Sequence, residues 1–180
     1  YILTVTNTND AGSGLSLASD GDVADPDEDD TLSVTGTLAD DDGCTGSTCA
    51  LTYAWSNGDT SATTTLGQSD VGNTISVTLT YTDDRSSSNT ITLTAASDVD
   101  NVNDAGSGLS LASDGDVADP DEDDVLSVTG TLADDDGVTN AAPTYQWSRG
   151  SSAISGATSS SYTLVQADVG SIMSVVITYT

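Results

Sequence analysis

The chain has 180 residues and a formal charge of −27, from 29 acidic side chains set against Arg85 and Arg149, with no histidine and no lysine. That balance argues against nucleic-acid binding, which needs cations to neutralise phosphates, and it removes Ser-His-Asp triads, histidine bases, Schiff bases and P-loop lysines. A carboxylate pair is the one catalytic device left, but the acids come in loop clusters without an array of sugar-stacking aromatics, so no enzyme is expected.

Leu, Ile and Val make up about a fifth of the chain and Phe is absent, a composition on the disordered side of the usual boundary. A periodic apolar pattern and bound cations can each tip such a chain back toward a fold. No run of eighteen apolar residues occurs, so membrane insertion is not expected, and the first residues lack the charged start of a signal peptide, placing any export signal outside this sequence.

In chain order, Tyr1, Ile2, Leu3, Thr4, Val5 and Thr6 followed by Asn7-Thr-Asn-Asp10 look like a final strand and linker, so residues 1–9 read as the end of a preceding unit or as a strand donated to another molecule. Residues 9–43 then recur as residues 103–137 with one difference, Thr31 becoming Val125. Repetition over about 94 residues suits a small domain rather than a solenoid turn. The expected repeats are 10–103 and 104–180.

Within the first repeat apolar residues alternate with Ser and Thr at period two: Leu15 and Leu17, then Leu32, Val34 and Leu38, then Leu51, Tyr53 and Trp55. Leu66 follows, then Ile75, Val77, Leu79 and Tyr81, and finally Ile91, Leu93 and Ala95. The second repeat echoes this with Leu126, Val128, Leu132, Tyr145, Trp147, Tyr162, Leu164, Met173, Val175, Ile177 and Tyr179. Gly, Asp, Asn and Ser punctuate the runs every eight to twelve residues, the pattern of an all-β sandwich. Both tryptophans are expected in the core. Cys44 and Cys49, six residues end to end without histidine or a second pair, exclude a four-ligand zinc site within the chain. A small loop disulfide in an oxidising compartment is the favoured reading, with two free surface thiols the alternative.

A tryptophan in the third strand, then Asp-Val-Gly before a long alternating strand, resembles the immunoglobulin arrangement. Residues 31–43, residues 154–170 and the junction Asp98-Val-Asp-Asn-Val-Asn-Asp104-Ala are similar to the immunoglobulin-like and cadherin-like tandem repeats of giant bacterial surface adhesins. The resemblance covers nearly the whole chain. It implies two tandem immunoglobulin-like β-sandwich domains, an extracellular bacterial surface location, and a role as a Ca²⁺-stiffened spacer holding an adhesive tip away from the cell. Two features depart from that pattern. Gly106 stands where a proline often follows Asn-Asp-Ala, which would loosen the junction, and no glycine-rich nonapeptide array is present.

In a seven-strand sandwich of this type the B–C and F–G loops share the end where the chain comes in, and the A–B and E–F loops share the end where it leaves. Asp25, Asp27, Glu28, Asp29 and Asp30 lie in the first A–B loop. Asp98, Asp100, Asn101, Asn103 and Asp104 lie in the linker, and Asp134, Asp135 and Asp136 in the second B–C loop. The expectation is that these oxygens converge on Ca²⁺, which takes six to eight oxygen ligands at about 2.3 to 2.6 Å. An EF-hand does not fit, since Gly36 stands where a final Glu is needed. A merely solvated acidic surface would scatter the acids over the strands instead. Asp70 and Asp168 are expected to cap the E–F corners through backbone bonds, and Asp83, Asp84 and Arg85 to form an F–G loop in which Arg85 pairs with an acid.

The leading expectation is therefore a non-enzymatic extender whose partners are neighbouring repeats or copies of itself. The alternative is a filament or surface-layer subunit joined head-to-tail by strand exchange, because the second repeat stops before its final strand and residues 1–6 could fill that place in another molecule.

Overall fold

Threonine on one face of a pleat and aliphatic residues on the other favour a half-buried strand, since β-branching restricts the side chain to rotamers that pack well there. In the computed structural model, which describes residues 1–44, 49–139 and 142–180, the described residues form twelve β-strands and no α-helix. The all-β expectation holds. The chain divides into two compact units, Tyr1–Val102 and Asn103–Thr180.

The first unit contains β1 (Ser13–Ser19), β2 (Thr31–Ala39), β3 (Thr52–Trp55), β4 (Thr63–Thr65), β5 (Thr74–Thr82) and β6 (Ser88–Asp98). They pair as two antiparallel sheets, β1-β2-β4 and β3-β5-β6. Leu32 of one sheet and Trp55, Ile75, Val77 and Leu79 of the other share a single buried cluster with Leu66 and Val99. The alternation is strictest in β5, where every second side chain from Ile75 to Tyr81 is at most 2% exposed. Trp55 satisfies its one polar atom by donating from Nε1 to the Ser61 carbonyl at 2.9 Å, which lets the indole sit in the core.

The second unit contains β7 (Ser107–Ser113), β8 (Val125–Ala133), β9 (Thr144–Arg149), β10 (Ser152–Ala153), β11 (Ser161–Thr163) and β12 (Met173–Thr178), paired as β11-β8-β7 and β10-β9-β12. Its buried cluster is smaller: Leu126, Trp147 and Leu164, with Tyr162 stacked on Trp147 at a ring-centroid distance of 5.8 Å. β12 pairs with β9, and among the described residues no strand lies along its other edge. Met173, Val175 and Ile177 are accordingly half-buried where Ile75, Val77 and Leu79 are fully buried.

One expectation, the strand count, meets a different outcome. Among the described residues each unit has two sheets of three strands, where seven were expected for the first and a missing final strand for the second. In the first unit only seven residues separate β3 from β4, and a tight turn in which Gly58 N–H bonds the Trp55 carbonyl takes up much of them, leaving no room for another strand. Residues 1–6 form no strand here, and Tyr1, Ile2, Leu3 and Val5 are at least 91% exposed. A strand needs a partner edge, and within this chain they have none. The Ser152–Ala153 strand, a short extension of the β9 edge, was not read from the sequence.

The repeated glycines of β1 and β2 have a steric reason. Gly14 and Gly36 have φ of +86° and +101°, and they face each other across the register shift between the two strands. A Cβ on either would strike the opposite backbone carbonyl, so this bulge accepts only glycine. Gly108 and Gly130 repeat the arrangement in β7 and β8.

Candidate metal centre

β2 ends at Ala39, and Asp40-Asp-Asp-Gly43 turns away from it. Asp42 N–H donates to Asp40 Oδ1 at 2.8 Å, Gly43 N–H to the Asp40 carbonyl at 3.1 Å, and Gly43 takes φ +97°. The β5–β6 loop arrives at the same end. There Asp83 is buried, and its carboxylate accepts from the backbone N–H of Arg85 and Ser87, both at 2.8 Å, and from Asn89 Nδ2 at 3.1 Å. The two loops bring carboxylate oxygens of Asp40, Asp42 and Asp83 within 4.8 Å of one another. Among the described residues this is the one acidic group so closely gathered. The sequence placed Asp83 in the correct loop but did not single it out as a ligand.

Cationic and amide hydrogens offset the repulsion in this group. The Asp10 backbone N–H at 3.0 Å and the Asn7 Nδ2 at 2.5 Å, aided by Arg85 Nε at 3.2 Å, hold Asp42 below the usual carboxylate range. Arg85 thus pairs with an acid, as expected. Tyr81 donates its hydroxyl proton to Asp40 at 2.5 Å and accepts from Gly12 N–H at 2.7 Å. Burial, reinforced by the Asp40 carboxylate, pushes Tyr81 up to about 12. Three carboxylates offer the hard oxygen donors that Ca²⁺ or Mg²⁺ takes, so the donor chemistry here fits such an ion.

The second unit repeats part of this pattern. Asp104 N–H donates to Asp136 at 2.8 Å, Tyr179 donates to Asp134 at 2.6 Å, and Gly106 N–H donates to the Tyr179 hydroxyl at 2.5 Å. The bond to Asp134 and burial raise the Tyr179 hydroxyl above its ordinary value. Asp135, between them, is exposed. Gly12 and Gly106 also have a packing role that sequence reading missed. A Cβ on Gly12 would strike the Tyr81 hydroxyl and lie 2.7 Å from a Leu38 methyl, and one on Gly106 would strike the Tyr179 hydroxyl. Proline would in addition remove the N–H that donates. The identical Asn-Asp-Ala-Gly at both positions, with a Tyr closing both long strands, was the available signal.

The remaining expected ligands fall into two groups, each within its own unit. In the first, Asp27 and Asp100 form a parallel bridge, Glu28 N–H bonds the Asp100 carbonyl at 2.8 Å, and Asp100 N–H bonds the Pro26 carbonyl at 2.9 Å. Asp25 accepts from the Ser97 hydroxyl at 3.4 Å, Asp98 from the Thr74 hydroxyl, and Asn101 from Gln68 at 3.1 Å. Asp29 takes φ +70° and its N–H bonds the Leu66 carbonyl at 3.1 Å, while Asp30 accepts from Asp27 N–H at 3.1 Å. Asn103, Asp104, Asp134, Asp135 and Asp136 belong to the second unit. Asp30 and Asp134 hold loop backbone through their carboxylates, Asp134 in an Asx turn with the Asp136 N–H at 3.0 Å, a structural duty that cluster counting does not reveal.

Asp70 and Asp168 accept from Gly67 and Val165 N–H at 3.1 and 2.8 Å, capping the two corners as expected. Asp168 also bonds Arg149 and Tyr162; burial opposes its charge, yet these donors keep it below its ordinary value. Cys44 and Cys49 are joined by a disulfide with Cα atoms 5.4 Å apart. No helix of the described residues is long and apolar enough to cross a membrane. No family model, curated protein or solved structure matches the chain.

Proposed function

We propose that the chain is a non-enzymatic spacer from an extracellular bacterial adhesin, built of two immunoglobulin-like sandwiches and stiffened by Ca²⁺. The observation that carries the reading is the same tie made twice: the incoming segment of each unit is bonded to that unit's own acidic loop, Asp10 to Asp42 and Asp104 to Asp136. A spacer needs the same connection at every repeat, whereas a specialised binding site needs one copy to differ, and residues 9–43 and 103–137 differ at a single position. The disulfide agrees with an oxidising, extracellular compartment.

Asp40, Asp42 and Asp83 are the ligands we place first, joined by the acids of residues 25–30 with Asp98 and Asp100, and by Asp134 and Asp136 in the second unit. An ion bound only by the folded state stabilises it by about 2.7 kcal/mol at a hundredfold excess over Kd. The thermal midpoint should therefore rise between chelator and millimolar Ca²⁺ at matched ionic strength, and the Asp42→Asn, Asp83→Asn double variant should lose part of that rise. A midpoint indifferent to Ca²⁺ would remove the ion from the proposal.

A second reading is head-to-tail assembly by strand exchange. It is favoured by the exposed apolar side chains Tyr1, Ile2, Leu3 and Val5 and by the edge of β12 along which, among the described residues, no strand lies. Deleting residues 1–6 should abolish concentration-dependent association seen by light scattering. Association that survives the deletion rules out those residues as donor.

A further inference from the structure

Both incoming segments end in one arrangement of three groups: a glycine N–H, a tyrosine hydroxyl and an aspartate carboxylate in series. In the first unit Gly12 N–H donates to Tyr81, which donates to Asp40; in the second, Gly106 N–H donates to Tyr179, which donates to Asp134. A hydroxyl has one proton to give and lone pairs to accept with, so each tyrosine is used in both directions at once. Its acceptor is an aspartate carboxyl oxygen, and bonds made in series through one hydroxyl polarise and strengthen one another. The glycine lets the chain approach this closely, because a Cβ would occupy the place of the hydroxyl oxygen.

Unit 1 adds local ties, Asn7 to Asp42 and Asn9 to Asn89 at 2.7 Å. In unit 2 Asn103 instead donates to the Asp104 carbonyl. What the two units share is the Gly-Tyr-Asp series together with the bond from the Asp10 or Asp104 N–H. Tyr81 lies in β5 and Tyr179 directly follows the last residue of β12, so each latch is carried by a long sheet strand or its immediate end.

We propose that Tyr81 and Tyr179 are latches that hold the incoming segment of each unit in a set direction without help from a cation. The tyrosine hydroxyl, a positioning group, connects an Asn-Asp-Ala-Gly segment that lies outside any strand to β5 in the first unit and to the end of β12 in the second. The acidic loop beside it is then ordered before any ion arrives. This inference takes its biological sense from the spacer reading, and its test is made in chelator so that the two can fail separately.

The experiment is amide hydrogen exchange on the full 180-residue chain in excess chelator, comparing the parent protein with Tyr81→Phe and Tyr179→Phe. Phenylalanine keeps the ring in place and removes only the hydroxyl. The parent should protect Gly12 and Gly106; Tyr81→Phe should speed exchange at Gly12 about tenfold, the worth of one hydrogen bond, and leave Gly106 unchanged, with the converse for Tyr179→Phe. Amides of Val77, facing β6, and Val176, facing Gln146 of β9, report on the sheets and should keep their protection. Gly106→Ala, which places a methyl against the hydroxyl, should mimic Tyr179→Phe. Gly12 and Gly106 exchanging at unstructured rates in the parent, or unaffected by loss of the hydroxyl, would overturn the proposal. Protection that appears only on adding Ca²⁺ would overturn it while supporting the calcium reading; protection in chelator with no response to Ca²⁺ supports the latch and removes the ion.

Discussion

Tyr81 shows how one hydroxyl converts burial into a pH dependence. Its folded-state value is raised from 10.0 to about 12, so the neutral phenol is favoured in the fold. The associated stability is fully present below about pH 10 and is lost as pH rises through 12, because the unfolded chain releases its proton first. Thermal midpoints of the parent should fall over that window, and Tyr81→Phe should flatten the fall while lowering the neutral-pH midpoint by the equivalent of about 1 kcal/mol. An unchanged alkaline slope in the variant would assign it to other tyrosines. Asp168 offers a contrast at the same scale: Arg149 and Tyr162 serve it in the second unit, whereas Asn57 serves Asp70 in the first, at 3.3 Å. One corner is thus built with different partners, and only the capping backbone bond is common to both.

At the scale of elements, β5 and β12 carry the same alternation and reach different burial. The difference lies in what flanks them, since β6 runs along β5 from Thr74↔Asp98 to Thr82↔Ser88 and β12 has β9 alone among the described residues. Period two tells which residues share a face, and a neighbouring strand decides how far that face is closed. The β2–β3 loop is a second case. Cys44 and Cys49 bridge it in the first unit, while the corresponding stretch of the second unit has no cysteine. A fold shared by both units does not depend on that bridge. Reduction should leave the first unit folded and cooperative, with a loss of at most about 2 kcal/mol from the short closed loop, and should leave the second unit's transition unmoved. Calorimetry with and without reductant checks this; collapse of the first transition would show the bridge to be essential.

For the whole molecule, charge repulsion adds to the conformational entropy that folding must overcome. A formal charge of −27 with two arginines, both engaged in ion pairs with buried aspartates, leaves self-repulsion to solvent ions and to any bound cation. Screening lengths shrink from about 30 Å at 0.01 M to about 3 Å at 1 M salt. Midpoints should therefore climb with sodium chloride over that range even in chelator, and the Ca²⁺ effect should exceed what matched ionic strength produces. Insensitivity to salt would mean that the acids are already compensated by the local N–H donors of their loops.

Strand content, the repeat and the core tryptophans were legible in the sequence because period-two patterning and self-similarity are one-dimensional signals: Trp55 and Trp147 and the Ile75 to Tyr81 run could be placed from pattern alone. The disulfide candidate and the corner roles of Asp70 and Asp168 were legible for the same reason, each being local. What the tertiary structure decided is which distant residues meet. Asp83 joins Asp40 and Asp42 because two loops of different sheets turn at one end, and Gly12 must be glycine because Tyr81, 69 residues away, places its oxygen there. Neither follows from spacing along the chain, since hydrogen bonds and steric exclusion act over about 3 Å of space, and only the packing of the sheets brings those groups within it.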